Sequence, residues 1–101
     1  MPSGSPRVLC RAVRYLRDPQ PGMIEAYLTD ATGFEWQIVD KAVMFAEWRE
    51  FMPGAPLLPM DVTLACTILE DEGEDRVRIF LPDVSDRVYV VRRELIVAQA
   101  G

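Results

Sequence analysis

Oily and polar positions alternate along most of this chain, and the alternation predicts its elements. Residues 7–16, RVLCRAVRYL, are rich in β-branched and aromatic side chains and read as a strand. Residues 1–6 precede it as an expected flexible tail, and 7–101 form one β-rich domain. The cluster RDPQPG at 17–22 breaks the strand. A hairpin follows. Asp30 and Gly33 occupy the first and fourth positions of a type I turn, and Gly33 suits the left-handed residue of a three-residue bulged loop. That loop sets Leu28 against Trp36 and Ala26 against Ile38, with Ile24 on the same face. Glu25, Tyr27, Thr29, Glu35 and Gln37 fall on the other face, which the pattern leaves to water. A two-residue loop would set Leu28 against Glu35 and mix the faces.

The period changes at 44–52, MFAEWREFM. At roughly 100° per residue, Met44, Phe45, Trp48, Phe51 and Met52 gather on one side, which predicts a short helix. Pro53-Gly54 ends it. Residues 60–69 and 76–81 predict a second hairpin around the acidic stretch EDEGED at 70–75. Matching the oily faces pairs Val62 with Leu81, Leu64 with Ile79 and Cys66 with Val77, around a loop of Glu70 to Gly73. The last run, RVYVVRRELIV, loses its alternation near Arg92-Arg93, which predicts a bulge or bend. The predicted fold class is mainly β: a small antiparallel barrel or strongly bent sheet of five or six strands, with the helix closing one end.

Charge narrows the partners. Sixteen acidic residues against eleven basic ones give a net charge of −5. Long-range repulsion then opposes non-specific binding to nucleic acid or anionic lipid, and the balance suits a basic partner. No apolar run approaches a membrane span, and MPSGSPRV lacks the oily core of a secretion signal. Cys10 and Cys66 both sit in apolar runs, where a free thiol behaves as a small core residue. A reducing, cytoplasmic setting is expected. Ten arginines against a single lysine suggest a GC-rich bacterial genome.

The run Asp30-x-x-Gly33-x-x-Trp36-x-x-x-Asp40-Lys41 resembles patterns of small uncharacterised bacterial β-proteins. Some of those are proposed as immunity or partner-binding proteins. The resemblance implies a binding role and assigns no functional residue.

Candidate chemistry is sparse. The chain has no histidine, so the commonest general base is missing, and so is the usual activator of a serine or cysteine nucleophile. Ser3, Ser5 and Ser85 lie outside any nucleophile elbow. EDEGED lacks the spacing of a calcium loop, lone cysteines do not make a zinc site, and no glycine-rich phosphate loop occurs. No catalytic group, metal or cofactor is expected.

The reading that remains is a non-enzymatic module that binds another protein, immunity-like or an adaptor. Its expected contact residues are Glu70, Asp71, Glu72, Glu74 and Asp75, helped by Trp48, against a basic partner. The alternative is a barrel that binds single-stranded nucleic acid or another ligand through Arg76, Arg78 and Phe80, which share one side of a strand. A monomer or an edge-paired homodimer fits either reading.

Overall fold

The first strand has partners on both sides, and the rest of the fold is arranged around it. The computed structural model describes residues 6–16, 22–41, 44–45, 58–81 and 87–98. Of the expected tail, only Pro6 is described, and it already begins β1 (Pro6–Tyr15). Val8, Cys10 and Ala12 alternate inward along β1, as the two-residue period of a strand requires. β1 pairs antiparallel with β2 (Met23–Thr29), with β4 (Met60–Ala65) and with β8 (Ile96–Ala98). With β3 (Glu35–Lys41) beyond β2, these strands make the first sheet, in the order β3-β2-β1-β4 with β8 also on β1. β5 (Thr67–Gly73), β6 (Arg76–Phe80) and β7 (Val88–Arg92) make the second.

The six runs predicted from the sequence become eight strand segments among the described residues because two of them turn a corner. β4 passes into β5 through Cys66, whose amide donates to the Pro6 carbonyl at 3.2 Å. β7 passes into β8 through a single 3-10 turn, Arg93–Leu95, at the place where the alternation slips. The protein is mainly β, with two antiparallel sheets sharing one core that includes Val8, Leu28, Leu64, Ile79 and Val91. No single closed barrel is found among the described residues. Residues 46–52 of the expected helix, Trp48 included, lie outside them. Phe45 is described, is fully buried, and makes an isolated bridge to Leu64.

The first hairpin has the register read from its oily face: Leu28 opposite Trp36 and Ala26 opposite Ile38. The Gly33 amide donates to the Asp30 carbonyl at 3.0 Å, and the Asp30 amide to the Phe34 carbonyl at 2.8 Å, which closes the bulged turn. Gly33 has φ +94° with open space where a Cβ would stand, so the backbone angle rather than crowding calls for glycine there. The outer face is less wet than expected. Glu25 is buried, with Arg14 Nε at 2.7 Å and the Tyr27 hydroxyl donating to it at 2.5 Å. These bonds, led by the Tyr27 hydroxyl, hold the Glu25 carboxyl below its ordinary pKa despite burial.

The second hairpin corrects the sequence reading. Val62 lies opposite Cys10 and Leu64 opposite Val8, both on β1. The hairpin joins β5 to β6 with Ile68 opposite Ile79 and Asp71 opposite Val77, so Glu70 to Gly73 are strand rather than loop. The matching assumed one straight strand with one partner. The corner at Cys66 gives β4 and β5 different neighbours. Val62, Leu64, Val77, Ile79 and Leu81 reach the core in either arrangement, so burial alone does not choose between them.

The turn of this hairpin is Glu74-Asp75, with φ 53° and 64°. A two-residue turn of the I′ kind needs both central residues left-handed, which Asn-Gly and Asp-Gly supply most easily. The left-handed region costs an ordinary residue roughly 1–2 kcal/mol, part of which a glycine returns as lost chain entropy. Asp75→Gly is therefore expected to raise stability by about 0.5–1 kcal/mol. A urea melt checks this, and a loss of stability would contradict the turn geometry.

Candidate protein-binding face

Asp30 organises the tip of the first hairpin. Its Oδ1 accepts from the Thr32 amide at 2.8 Å, the Thr32 hydroxyl at 2.6 Å and the Phe34 amide at 3.0 Å. Its Oδ2 accepts from the indole N–H of Trp36 at 2.9 Å. With so many donors on the ionised form, the Thr32 hydroxyl first among them, the carboxyl falls from an ordinary 3.8 to about 2. The same residue that nucleates the turn thus fixes the orientation of the indole.

The tip then reaches the second sheet. The Ala31 amide donates to the Val90 carbonyl on β7 at 2.8 Å. This contact brings together side chains far apart in sequence. Trp36 meets Tyr89 edge-to-face at 5.7 Å between ring centroids, and Phe34 at 4.8 Å. The Arg87 guanidinium lies 4.8 Å from the Trp36 ring centroid, over its face. Phe34 is 56% exposed and Val88 is 46% exposed, so this cluster presents oily area to water. Beside it opens a cleft of about 390 Å³ whose lining includes Asp30, Trp36, Tyr89, Glu72, Glu74 and Arg76.

The residues expected from the sequence are distributed unevenly around this cleft. Glu72 and Glu74 line it. Glu72 also takes Arg78 at 2.7 Å, while Glu70 stands 3.9 Å from the same guanidinium. Asp71 accepts from Arg93 at 2.9 Å and from the Gly73 amide at 2.8 Å, and these bonds lower its pKa. The Asp75 carbonyl accepts from the Arg93 amide at 2.7 Å. Trp48 lies outside the described residues. Arg76 lines the cleft, Arg78 faces its carboxylates, and Phe80 is half-buried opposite Val88 and Thr67. Arg78 is thus paired with carboxylates, while Arg76 reaches the cleft. Exposed pairs of this kind add little stability, about 0–1 kcal/mol each, so their effect here is on surface charge.

Tyr89 carries no signal of a site in the sequence pattern, and the alternation places Trp36 on the core face. Phe34 carries one signal. It follows the turn glycine directly, where a large apolar residue has no oily strand face to join.

Among the described residues no group of three or more histidine, cysteine or carboxylate side chains could hold a metal ion. Cys10 and Cys66 are buried free thiols, and burial pushes the Cys66 pKa up to about 11, away from the reactive thiolate. Among the described residues no helix is long and apolar enough to cross a membrane. No family model, curated protein or solved structure matches the chain.

Proposed function

We propose that this chain is a non-enzymatic protein-binding module, immunity-like or an adaptor, that engages a basic partner with the face where the first hairpin meets β7. The observation that carries the reading is the cluster of Phe34, Trp36, Arg87 and Tyr89 beside a carboxylate-lined cleft. Tryptophan, tyrosine and arginine are the residue types that dominate binding energy at interfaces. Phe34 and Val88 add apolar area that a partner would cover. Glu72, Glu74 and Asp30 would receive the partner's lysine or arginine, and the net charge of −5 would steer its approach.

The two corners, at Cys66 and at Arg93–Leu95, make the sheets a barrel-like wrap in this reading. Phe45, fully buried and bridged to Leu64, fills the interior of that wrap. The buried thiols suit a reducing bacterial cytoplasm, and the absence of histidine supports a role without catalysis.

A lysine- and arginine-rich peptide tests the reading before a natural partner is known. Binding measured by calorimetry should be detectable at low salt and weaken steeply as salt rises, because exposed charges are screened. Phe34→Ala should weaken it by about tenfold without unfolding the protein, since the ring is half in water already. Binding that ignores salt, or that ignores Phe34, contradicts the proposal.

A further inference from the structure

We propose that the partner is held by strand addition, as an extended basic segment that pairs with the open edge of β5. This rests on the protein-binding reading above and names the form in which the partner binds. Every residue of β5 is exposed, on both faces, and among the described residues the strand pairs with β6 alone. Such an edge presents a row of backbone donors and acceptors to any strand that fits. The other edges are less available. The Val90 carbonyl on β7 is taken by Ala31, and Leu64 on β4 is met by Phe45. β3 carries only Glu35 and Asp40 as acids, set apart from each other and followed by Lys41, so it suits a basic strand less than β5 does.

The side chains of β5 state what kind of strand fits. Ile68 and Leu69 are 45% and 49% exposed, and Glu70, Asp71 and Glu72 follow them. A segment with an apolar end and a basic end is complementary to that order. A second copy of this chain is not. Antiparallel pairing of β5 with itself about Glu70 puts Glu70 against Glu70 and Ile68 against Glu72, and like charges directly opposite destabilise a ladder. Register irregularities between Ile68 and Glu70, and between Asp71 and Gly73, limit the regular stretch, so the added segment is short. Glu72 belongs to both β5 and the cleft, so a strand seated on this edge continues toward the carboxylates already described.

The experiment compares two peptides of one sequence with a valine-rich end and a lysine-rich end, one unmodified and one with alternate backbone nitrogens methylated. Both keep the same charge, and only the first can donate a full ladder. The unmodified peptide should bind, slow amide exchange across residues 67–73, and lose at least about tenfold in affinity on methylation, because the ladder loses its donors. Equal binding of both peptides, with Phe34→Ala weakening each, overturns strand addition and leaves the protein-binding reading standing. Binding by neither peptide overturns both. A dimer in sedimentation that protects the same amides without peptide shows the edge taken by a second copy and overturns the basic occupant.

Discussion

Phe45→Ala is expected to remove about 3–5 kcal/mol of stability, the usual cost of cutting a buried phenylalanine to alanine. The ring is fully buried and is among the largest fully buried side chains of the protein. It packs into the cluster that both sheets share, and its backbone bridges to Leu64 on β4. Removing it leaves a void in the core that the two sheets share. A domain of this size has roughly 5–15 kcal/mol of stability in total, so the loss is a large share of it. Urea denaturation measures the change as a lowered midpoint with little change in slope. A loss below about 1 kcal/mol, the range of surface substitutions, would show that Phe45 is not part of the shared interior.

Asp30→Ala carries the second largest effect, about 2–3 kcal/mol, and it links stability to the proposed binding face. The carboxylate accepts from Thr32 twice, from the Phe34 amide and from the Trp36 indole. Bonds to an ionised acceptor are individually stronger than neutral ones, but water replaces part of them at a half-buried tip. The dependence on pH has a definite sign. The carboxyl titrates at about 2 in the fold and near 3.8 when unfolded. The ionised form is therefore favoured by folding. Its contribution is complete above pH 3.8 and disappears as pH falls through about 2. Allowing for partial exposure, that contribution is about 1–2 kcal/mol. Asp30→Asn should flatten the acid limb of the stability profile over that window, because its amide does not titrate there. A variant that keeps the full acid dependence would move the effect to another carboxylate.

Asp30→Ala should also weaken peptide binding, because the indole of Trp36 loses the acceptor that orients it over Phe34 and under Arg87. A stability defect without a binding defect would separate the tip from the binding face.

The ease of reading this fold from its sequence varied with how local each determinant is. The first hairpin was fully legible. Asp30 and Gly33 fix the turn, and the oily face admits one register only. The bend after β7 was legible as a slip at Arg92-Arg93. The second hairpin was not, because Val77 and Ile79 reach the core whether they face β4 or β5. Its turn is Glu74-Asp75, left-handed residues without the asparagine or glycine that would announce them. Burial of Glu25 depends on Arg14 and Tyr27 closing over it, which no alternation reveals.

The candidate site was legible in part. Glu72 and Glu74 were singled out by charge density, and they do line the cleft. The aromatic half of the face exists only because Ala31 docks on Val90, a contact between segments remote in the chain. Trp36 shows the difficulty clearly. Its position opposite Leu28 is that of a core residue, and it packs partly against the core. Its outer side, under Arg87 and beside Phe34, is set by a strand from the other sheet.

We propose that the hairpin tip, shaped by Asp30 and docked on β7 through Ala31, forms one continuous surface for a basic partner. Amide-correlation NMR of isotope-labelled protein, titrated with the lysine- and arginine-rich peptide, tests it directly. The Trp36 indole signal and the amides of Phe34, Glu72, Glu74 and Tyr89 should shift together along one saturation curve, and added salt should reverse them. Signals that stay fixed there while the peptide binds through β1 and β4, or that move independently of one another, would contradict it.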